Sequence, residues 1–436
     1  MAQTENKLGL WTSSSLVTGN MIGAGVFLMP ATIATYGSIS LVGWLVGSVG
    51  AFLLAKIFSH LSRMMPNADG GPYAYSKEGL GDFAGFLVAW GYLLSTWTTN
   101  AALAVAMVGA LSTFFPVLAF DPMGAILTGL GAIWLITWIN TRGIVTSGKF
   151  QLASTILKIV PLIVVSVGGL FFLDFDNFIP FNSTGTSDFT AITTSSALIF
   201  FAFVGVECAT IPSGSVANPE KTISRATIIG TLTATVIYIL SSVSIMGLMP
   251  ASELAKTVTP FADAAVLMWG NGASYLVSIG VVIAALGALN GFILIQGQIP
   301  FAVSKDKLFP PIFRKLNKNG VPAIGIVIGS IVVSIMMIMN YTKGLADQFK
   351  FLILLSTLTV LIPYLFSSAA YIAIKVERSY IKVGWNQSVI LATLAFIFSL
   401  WMVVGSGQET VYYGFILLMA GIPFYIWRVW KNKKSH

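Results

Sequence analysis

Long apolar runs separated by short polar segments dominate this chain. A run of about 20 apolar residues is long enough to cross a bilayer as a helix, and Gly, Pro and charged residues punctuate the runs. The pattern predicts an all-α integral membrane protein. Its twelve predicted transmembrane spans are residues 10–36, 38–62, 82–114, 123–141, 146–173, 189–214, 223–249, 272–304, 321–341, 347–374, 385–405 and 409–430.

The composition agrees with this pattern. Of the 436 residues, 56% are hydrophobic and 9% are charged, whereas soluble domains carry about 25% charged residues. The first run is longer than the apolar core of a cleaved signal peptide, which has roughly 7–15 residues. One cysteine, Cys208, and two histidines, His60 and His436, exclude a disulfide framework and a histidine-rich metal centre. We therefore expect no metal and no cofactor.

The Lys and Arg positions predict the orientation. With both termini in the cytoplasm, 20 of the 24 basic residues fall in inner segments or at inner helix ends, and three fall outside. This asymmetry is what the positive-inside rule requires. It predicts a multi-pass protein of the cell inner membrane, and it accounts for the net charge of +8 without a nucleic-acid partner.

Two ionisable residues remain inside predicted spans. Lys158 is the one base and Glu207 the one acid, since the other 15 carboxylates lie in connecting segments or at span ends. An ionisable group at the bilayer centre costs several kcal/mol unless it is paired or hydrated, and such groups usually have a function. Both residues are therefore candidates for functional roles.

Glycine-rich segments interrupt the first and sixth spans, at residues 21–25 and 201–207. Non-helical backbone is tolerated at membrane depth only where it lines a cavity. The dipole ends of the resulting half-helices suit a carboxylate, and freed carbonyl groups suit an ammonium. Close packing of small residues is the alternative explanation. The paired occurrence, in the first helix of each of two five-span repeats, favours interrupted helices of the kind found in transporters.

Four longer motifs carry a family resemblance: GNMIGAGVFLMPA, GGPYAYSKEGLGDFAGF, FVGVECAT followed by NPEKTISRATIIGT, and DKLFPPIFRKLNKNGVPAIG. Over residues 8–430 the chain resembles the amino acid/polyamine/organocation transporters, in particular their arginine/agmatine antiporters. The resemblance implies one transmembrane domain with two inverted five-helix repeats, at 10–173 and 189–374, and two extra helices at 385–430. It further implies a homodimer that exchanges amino acids and amines across the membrane by alternating access.

The resemblance also implies a substrate site. Backbone of the interrupted helices would hold the substrate's carboxylate and α-amino group, while helices three, eight and ten would face its side chain. Phe292 would stack on a cationic group, although ordinary packing is the alternative. The implied substrate-binding residues are Met21, Ile22, Gly23, Ala24, Gly25, Ser95, Thr96, Asn100, Leu103, Phe201, Phe203, Val204, Gly205, Phe292 and Ser356.

Coupling and gating roles are implied for five further residues, namely Lys158, Glu207, Tyr92, Tyr364 and Tyr73. Arginine/agmatine antiporters lack the lysine, but proton-coupled relatives have it where others bind sodium. Lys158 either loads and releases a proton or ties its helix to carbonyl groups near Gly25, and it argues against sodium dependence.

Two roles are open for Glu207 and for Tyr73 as well. Glu207 either takes up a proton beside an inner gate of Tyr92 and Tyr364 or caps loose backbone N–H groups. Tyr73 and the nearby Tyr75 match a pair implicated in pH response, or they anchor the loop at the membrane interface.

Two transport modes and several substrates stay open at this point. Exchange of an amino acid for an amine is the leading hypothesis, and proton-coupled amino acid symport is the second. A membrane-embedded enzyme or sensor is disfavoured, because no HExxH, GxSxG or P-loop motif is present. Arginine/agmatine, lysine/cadaverine, ornithine/putrescine and neutral amino acids all fit, because no carboxylate is aimed at a distal cation.

Overall fold

A computed structural model describes residues 7–23, 25–257, 259–339, 345–378 and 386–434. Ala24, one of the predicted binding residues, lies outside these described residues. Throughout the described ranges the chain is helical and forms no strand; an isolated β-bridge pairs Leu8 with Val216.

Seventeen α-helices follow one another along the described residues. The first nine are α1 (Leu10–Met21), α2 (Gly25–Ala34), α3 (Ser40–Met64), α4 (Pro72–Leu80), α5 (Asp82–Leu111), α6 (Pro122–Asn140), α7 (Ile144–Gly169), α8 (Asp188–Phe200) and α9 (Pro219–Leu248). The others are α10 (Ala251–Leu254), α11 (Pro260–Trp269), α12 (Gly272–Lys305), α13 (Ala323–Met339), α14 (Leu345–Glu377), α15 (Gln387–Gly405), α16 (Gln408–Met419) and α17 (Ile422–Lys434).

The fold class predicted from the apolar runs is confirmed. Within the described residues, 11 helical segments are long and apolar enough to cross a membrane, with α1 and α2 counted as one and α16 and α17 as one. The shorter apolar helix α13 occupies the ninth predicted span, 321–341. The chain is therefore a multi-pass membrane protein. The division into repeats at 10–173 and 189–374, with extra helices at 385–430, stays a prediction.

Three short helices lie outside the predicted spans. Helix α4 begins with Pro72 and stops at Gly81, whose φ is +89°; α10 and α11 lie in the connection between the seventh and eighth spans. Proline at a helix start and glycine at its end are local signals. A search for long apolar runs misses helices of this kind, because their length is set by such caps.

The first and sixth spans are interrupted as predicted, but the sixth is interrupted for longer. Helix α1 ends at Met21 and α2 begins at Gly25. In the sixth span α8 ends at Phe200, and the chain continues through 3-10 turns at Phe201–Phe203, Cys208–Thr210 and Ser213–Ser215. The α-helical conformation returns only at Pro219, so only the first half of this span is an α-helix.

A polar stripe on α7 holds α1. Gln151 and Thr155 donate to the carbonyl of Ser15 at 3.3 and 3.4 Å, and the Lys158 amine donates to the carbonyl of Gly19 at 2.5 Å. A Cβ atom on Gly19 would lie 2.3 Å from Gln151 Nε2 and 2.4 Å from Thr155 Oγ1. The two helices therefore approach this closely only because residue 19 has no side chain.

We expect Gly19→Ala to lower the thermal stability of the purified protein by about 1–3 kcal/mol, the usual cost of overpacking. The matched control is Gly131→Ala in α6, where an added Cβ meets nothing within 4 Å. Both variants gain the helix propensity of alanine, so the difference between their melting temperatures isolates the clash. Equal melting temperatures would contradict the close α1–α7 contact.

Candidate functional site

A small cavity lies between the two interrupted spans. Its wall consists of Asn20, Met21, Gly23, Gly25, Val26, Thr99, Leu103, Phe201, Ala202, Val204 and Phe292. The space at its centre is about 10 Å³, on the order of what one water molecule needs. Its walls are therefore nearly in contact, and a ligand the size of an amino acid requires them to separate.

Seven of the predicted binding residues line this cavity, namely Met21, Gly23, Gly25, Leu103, Phe201, Val204 and Phe292. Four further residues line it that were not predicted to bind substrate, namely Asn20, Val26, Thr99 and Ala202. For Asn20 a signal was present, because an amide inside an apolar span needs a partner or a cavity. The hydroxyl of Thr99 carries no comparable signal, since a threonine can bond to its own helix.

The helix ends at the first interruption give the cavity its polarity. Gly25 and Val26 are the first residues of α2, where backbone N–H groups lack partners within the helix and the dipole is positive. On the α1 side, the Ile22 N–H donates to the Thr18 carbonyl at 2.8 Å and the Gly23 N–H to the Met21 carbonyl at 2.9 Å. The α2 end suits a carboxylate, and the carbonyl end of α1 suits an ammonium.

Three predicted binding residues beside the interruptions do not line the cavity. Ile22 is buried. The Phe203 ring packs on Trp44 and Tyr238, at centroid distances of 6.0 and 5.4 Å, and so points away from the cavity. Gly205 has a φ of +110°, and a Cβ there would lie 3.1 Å from the Cβ of Asn20. These residues shape the wall from behind it.

Hydroxyl groups form a cluster beside the cavity. Thr99 Oγ1 lies 2.5 Å from Ser356 Oγ, and Ser95 Oγ lies 3.1 Å from the same atom. Of these three, only Thr99 lines the cavity. The cluster joins α5 to α14, so Ser95 and Ser356 support the wall through Thr99.

The other two polar residues predicted on α5 bond elsewhere. The Thr96 hydroxyl donates to the Tyr92 carbonyl of its own helix at 2.8 Å. Asn100 Nδ2 donates to Gln296 Oε1 on α12 at 3.1 Å, and Asn100 Oδ1 has no hydrogen-bond partner in the described structure. Neither residue lines the cavity as the structure has it.

The Glu207 carboxylate lies in the sixth interruption and is fully buried. The hydroxyl of Tyr92 on α5 donates to one of its oxygens, and the hydroxyl of Tyr364 on α14 donates to the other at 2.5 Å. The structure thus brings together the three residues that sequence reasoning grouped as an inner gate. These two hydrogen bonds join the interruption to two scaffold helices.

Lys158 is also fully buried, and its amine donates to the Gly19 carbonyl. One of its two predicted roles is to tie α7 to carbonyl groups near Gly25. The carbonyl group that it meets lies in α1, before the interruption, because the polar stripe of α7 runs along α1. The lysine therefore supports α1.

Tyr73 and Tyr75 lie in α4 and are buried, where sequence reasoning placed them in a loop. The Tyr73 hydroxyl donates to Asp306 Oδ2 at 2.6 Å, and the Lys77 amine lies 2.9 Å from the same atom. Burial, followed by the hydrogen bond to Asp306, raises the pKa of Tyr73 above its ordinary value. The phenol therefore stays protonated at neutral pH.

An all-helical membrane bundle with two interrupted spans around a central cavity is the architecture of a secondary transporter. A family model described as amino acid permease matches residues 8–424. The chain therefore belongs to the amino acid permease family.

Named relatives cover nearly the whole chain. It is 31% identical to the cadaverine/lysine antiporter of Escherichia coli (strain K12), over 99% of this chain and 96% of the relative. It is 31% identical to an arginine/ornithine antiporter of Pseudomonas aeruginosa, over 96% and 90%. It is 28% identical to the putrescine transporter PotE of Haemophilus influenzae, over 98% of both chains. These names are those of transporters.

We predict that Tyr73→Phe leaves the shape of the transport-versus-pH profile unchanged between about pH 5 and 9. A raised pKa favours the neutral phenol, and even an unperturbed tyrosine ionises only near pH 10, so no tyrosinate forms in this range. Transport of a radiolabelled substrate by proteoliposomes at graded pH checks this. Loss of a pH step in the variant would assign that step to Tyr73 and contradict the prediction.

Proposed function

We propose that this protein exchanges a basic amino acid for an amine across the cell inner membrane by alternating access, with both termini in the cytoplasm and as a homodimer. The cavity between the interrupted spans carries this proposal, because it combines a helix N-terminus, an aromatic ring and a hydroxyl. The relatives named as antiporters of cadaverine and lysine and of arginine and ornithine support exchange of this substrate class.

The helix ends would bind the part that all amino acids share. The substrate carboxylate would accept hydrogen bonds from the N–H groups of Gly25 and Val26, where the α2 dipole is favourable. Its α-amino group would donate to carbonyl groups at the end of α1 and to the backbone of residues 201–205. Recognition by backbone tolerates variation of the side chains around it.

The distal group would lie beside Phe292 and Thr99. None of the described residues that line the cavity carries a charge, so an amine or guanidinium would be recognised by the ring face and by hydroxyl groups. A cation over a phenylalanine face contributes about 0.5–2 kcal/mol, depending on how well water is excluded. A site without a fixed carboxylate can take both the amino acid and the amine, as exchange requires.

Glu207 and Lys158 would serve the conformational cycle. Because Tyr92 and Tyr364 bind the Glu207 carboxylate from two helices, separation of these bonds would open the inner side.

Lys158 favours a second candidate function, proton-coupled amino acid symport, because a fully buried amine on a single carbonyl is able to lose its proton during a cycle.

Counterflow in proteoliposomes distinguishes the two functions. Exchange predicts that uptake of labelled lysine, arginine or ornithine needs internal amine or amino acid and ignores a pH gradient. Uptake driven by a proton gradient into empty vesicles would overturn exchange and establish symport. Absence of both activities for every basic substrate would overturn the proposed substrate class.

Phe292→Leu should raise the half-saturating concentration of a basic substrate by roughly 2- to 30-fold, which corresponds to the loss of about 0.5–2 kcal/mol of cation–π energy. The matched variant Phe292→Trp should keep or improve the affinity. Equilibrium binding of labelled substrate measures both. Equal affinities for Leu and Trp at this residue would mean that Phe292 is only packing.

Lys158→Ala should reduce exchange at least tenfold, because the Gly19 carbonyl beside the first interruption loses its charged donor. Lys149→Ala, an exposed residue of the same helix, serves as the control and should transport normally. Initial rates of counterflow give the comparison. A wild-type rate in Lys158→Ala would remove this residue from the proposed mechanism.

A further inference from the structure

A chain of buried side-chain hydrogen bonds crosses the protein from α6 and α7 to the cavity. Ser147 Oγ donates to Asn140 Oδ1 at 3.0 Å, and Asn140 Nδ2 donates to Asn290 Oδ1 at 3.1 Å. Asn290 Nδ2 donates in turn to Gln151 Oε1 at 3.0 Å, and Gln151 Nε2 donates to Asn20 Oδ1 at 3.3 Å. The last bond runs from Asn20 Nδ2 to Cys208 Sγ at 3.0 Å. Every step donates in the same direction, so the bonds polarise one another.

The last bond of this chain joins the two interrupted spans. Asn20 lies in α1 and lines the cavity, whereas Cys208 lies within the interruption of the sixth span. Both polar atoms of Asn20 are engaged, Oδ1 by Gln151 and Nδ2 by Cys208. The amide also fills a notch at Gly291, where a Cβ would lie 1.7 Å from Asn20 Oδ1. Its orientation is therefore fixed from three sides.

The donors behind Asn20 belong to scaffold helices. Asn290 lies in α12 and Gln151 in α7, and each makes a second bond to backbone, to the carbonyls of Ser147 at 2.9 Å and of Ser15 at 3.3 Å. Buried amides that are satisfied twice are costly to disturb. These two side chains hold the Asn20 amide in the one orientation that reaches Cys208.

We propose that the Asn20–Cys208 hydrogen bond is a closure contact between the two interrupted spans, and that Gln151 and Asn290 are positioning residues that maintain it. The cavity is too small for an amino acid, and its walls come from both spans, so its opening separates α1 from the sixth span. That movement breaks this bond and exposes the thiol. The closed form is thus stabilised by side chains remote from the cavity wall.

Cys208 is the single cysteine of the chain and is fully buried, so it reports opening without background. The test measures the rate at which N-ethylmaleimide labels the purified full-length protein, without substrate. When opening is fast relative to labelling, this rate follows the population of the open form. Asn20→Ala and Gln151→Leu should each accelerate labelling about three- to tenfold, as expected for loss of one net hydrogen bond in the closed form.

Thr155→Val is the matched control. Thr155 lies on the same face of α7 and donates to the same Ser15 carbonyl as Gln151, but it is outside the amide chain. It should label at the wild-type rate. Equal acceleration in Thr155→Val would indicate general loosening of α7 and overturn the proposal, as would wild-type rates in both Asn20→Ala and Gln151→Leu.

A variant that unfolds would label as fast as the protein in denaturing detergent, and Asn290→Leu, three hydrogen bonds from Cys208, then takes its place. Asn290→Leu should also accelerate labelling, and a wild-type rate in it would equally overturn the proposal. No substrate enters this assay. A negative result therefore rejects the closure contact and leaves the proposed substrate class to the counterflow experiment.

Discussion

The structure depends on hydrogen bonds to the backbone groups of two helices that end at membrane depth. Lipid offers no hydrogen bonds, so a helix end there needs partners from the protein. For α1 a partner comes from α7, whose Lys158 donates to the carbonyl of Gly19 in the last turn. In the sixth span the partners are local. In its tight turns the Val206 N–H donates to the Phe203 carbonyl, and the Cys208 N–H donates to the Gly205 carbonyl.

The same constraint explains why small residues gather around the cavity. A polar stripe can reach the α1 backbone only if residue 19 has no side chain, and Asn20 can lie across α12 only because residue 291 has none. Tight packing around satisfied polar groups leaves about 10 Å³ between the spans. The glycines that allow these contacts therefore also leave the cavity walls close together.

Much of this architecture was predictable, for a physical reason. Membrane spans follow apolar length and interruptions follow glycine, both of which are local in sequence. Lys158 and Glu207 stood out because ionisable groups inside spans are rare. What escaped prediction depends on packing: the outward direction of Phe203, the Gly19 partner of Lys158, and the role of Thr99 in the wall. No local pattern encodes which neighbouring helix a buried hydroxyl or ring will meet.

The central claim is that helix ends at the first interruption bind the shared part of an amino acid substrate. The most direct test is an electron cryomicroscopy map of the protein with saturating arginine or lysine. The account predicts density between the interrupted spans, with the carboxylate within hydrogen-bond distance of the N–H groups of Gly25 and Val26 and the distal cation over the ring of Phe292. Density with the carboxylate turned away from α2, or a substrate bound outside this cavity, would contradict it.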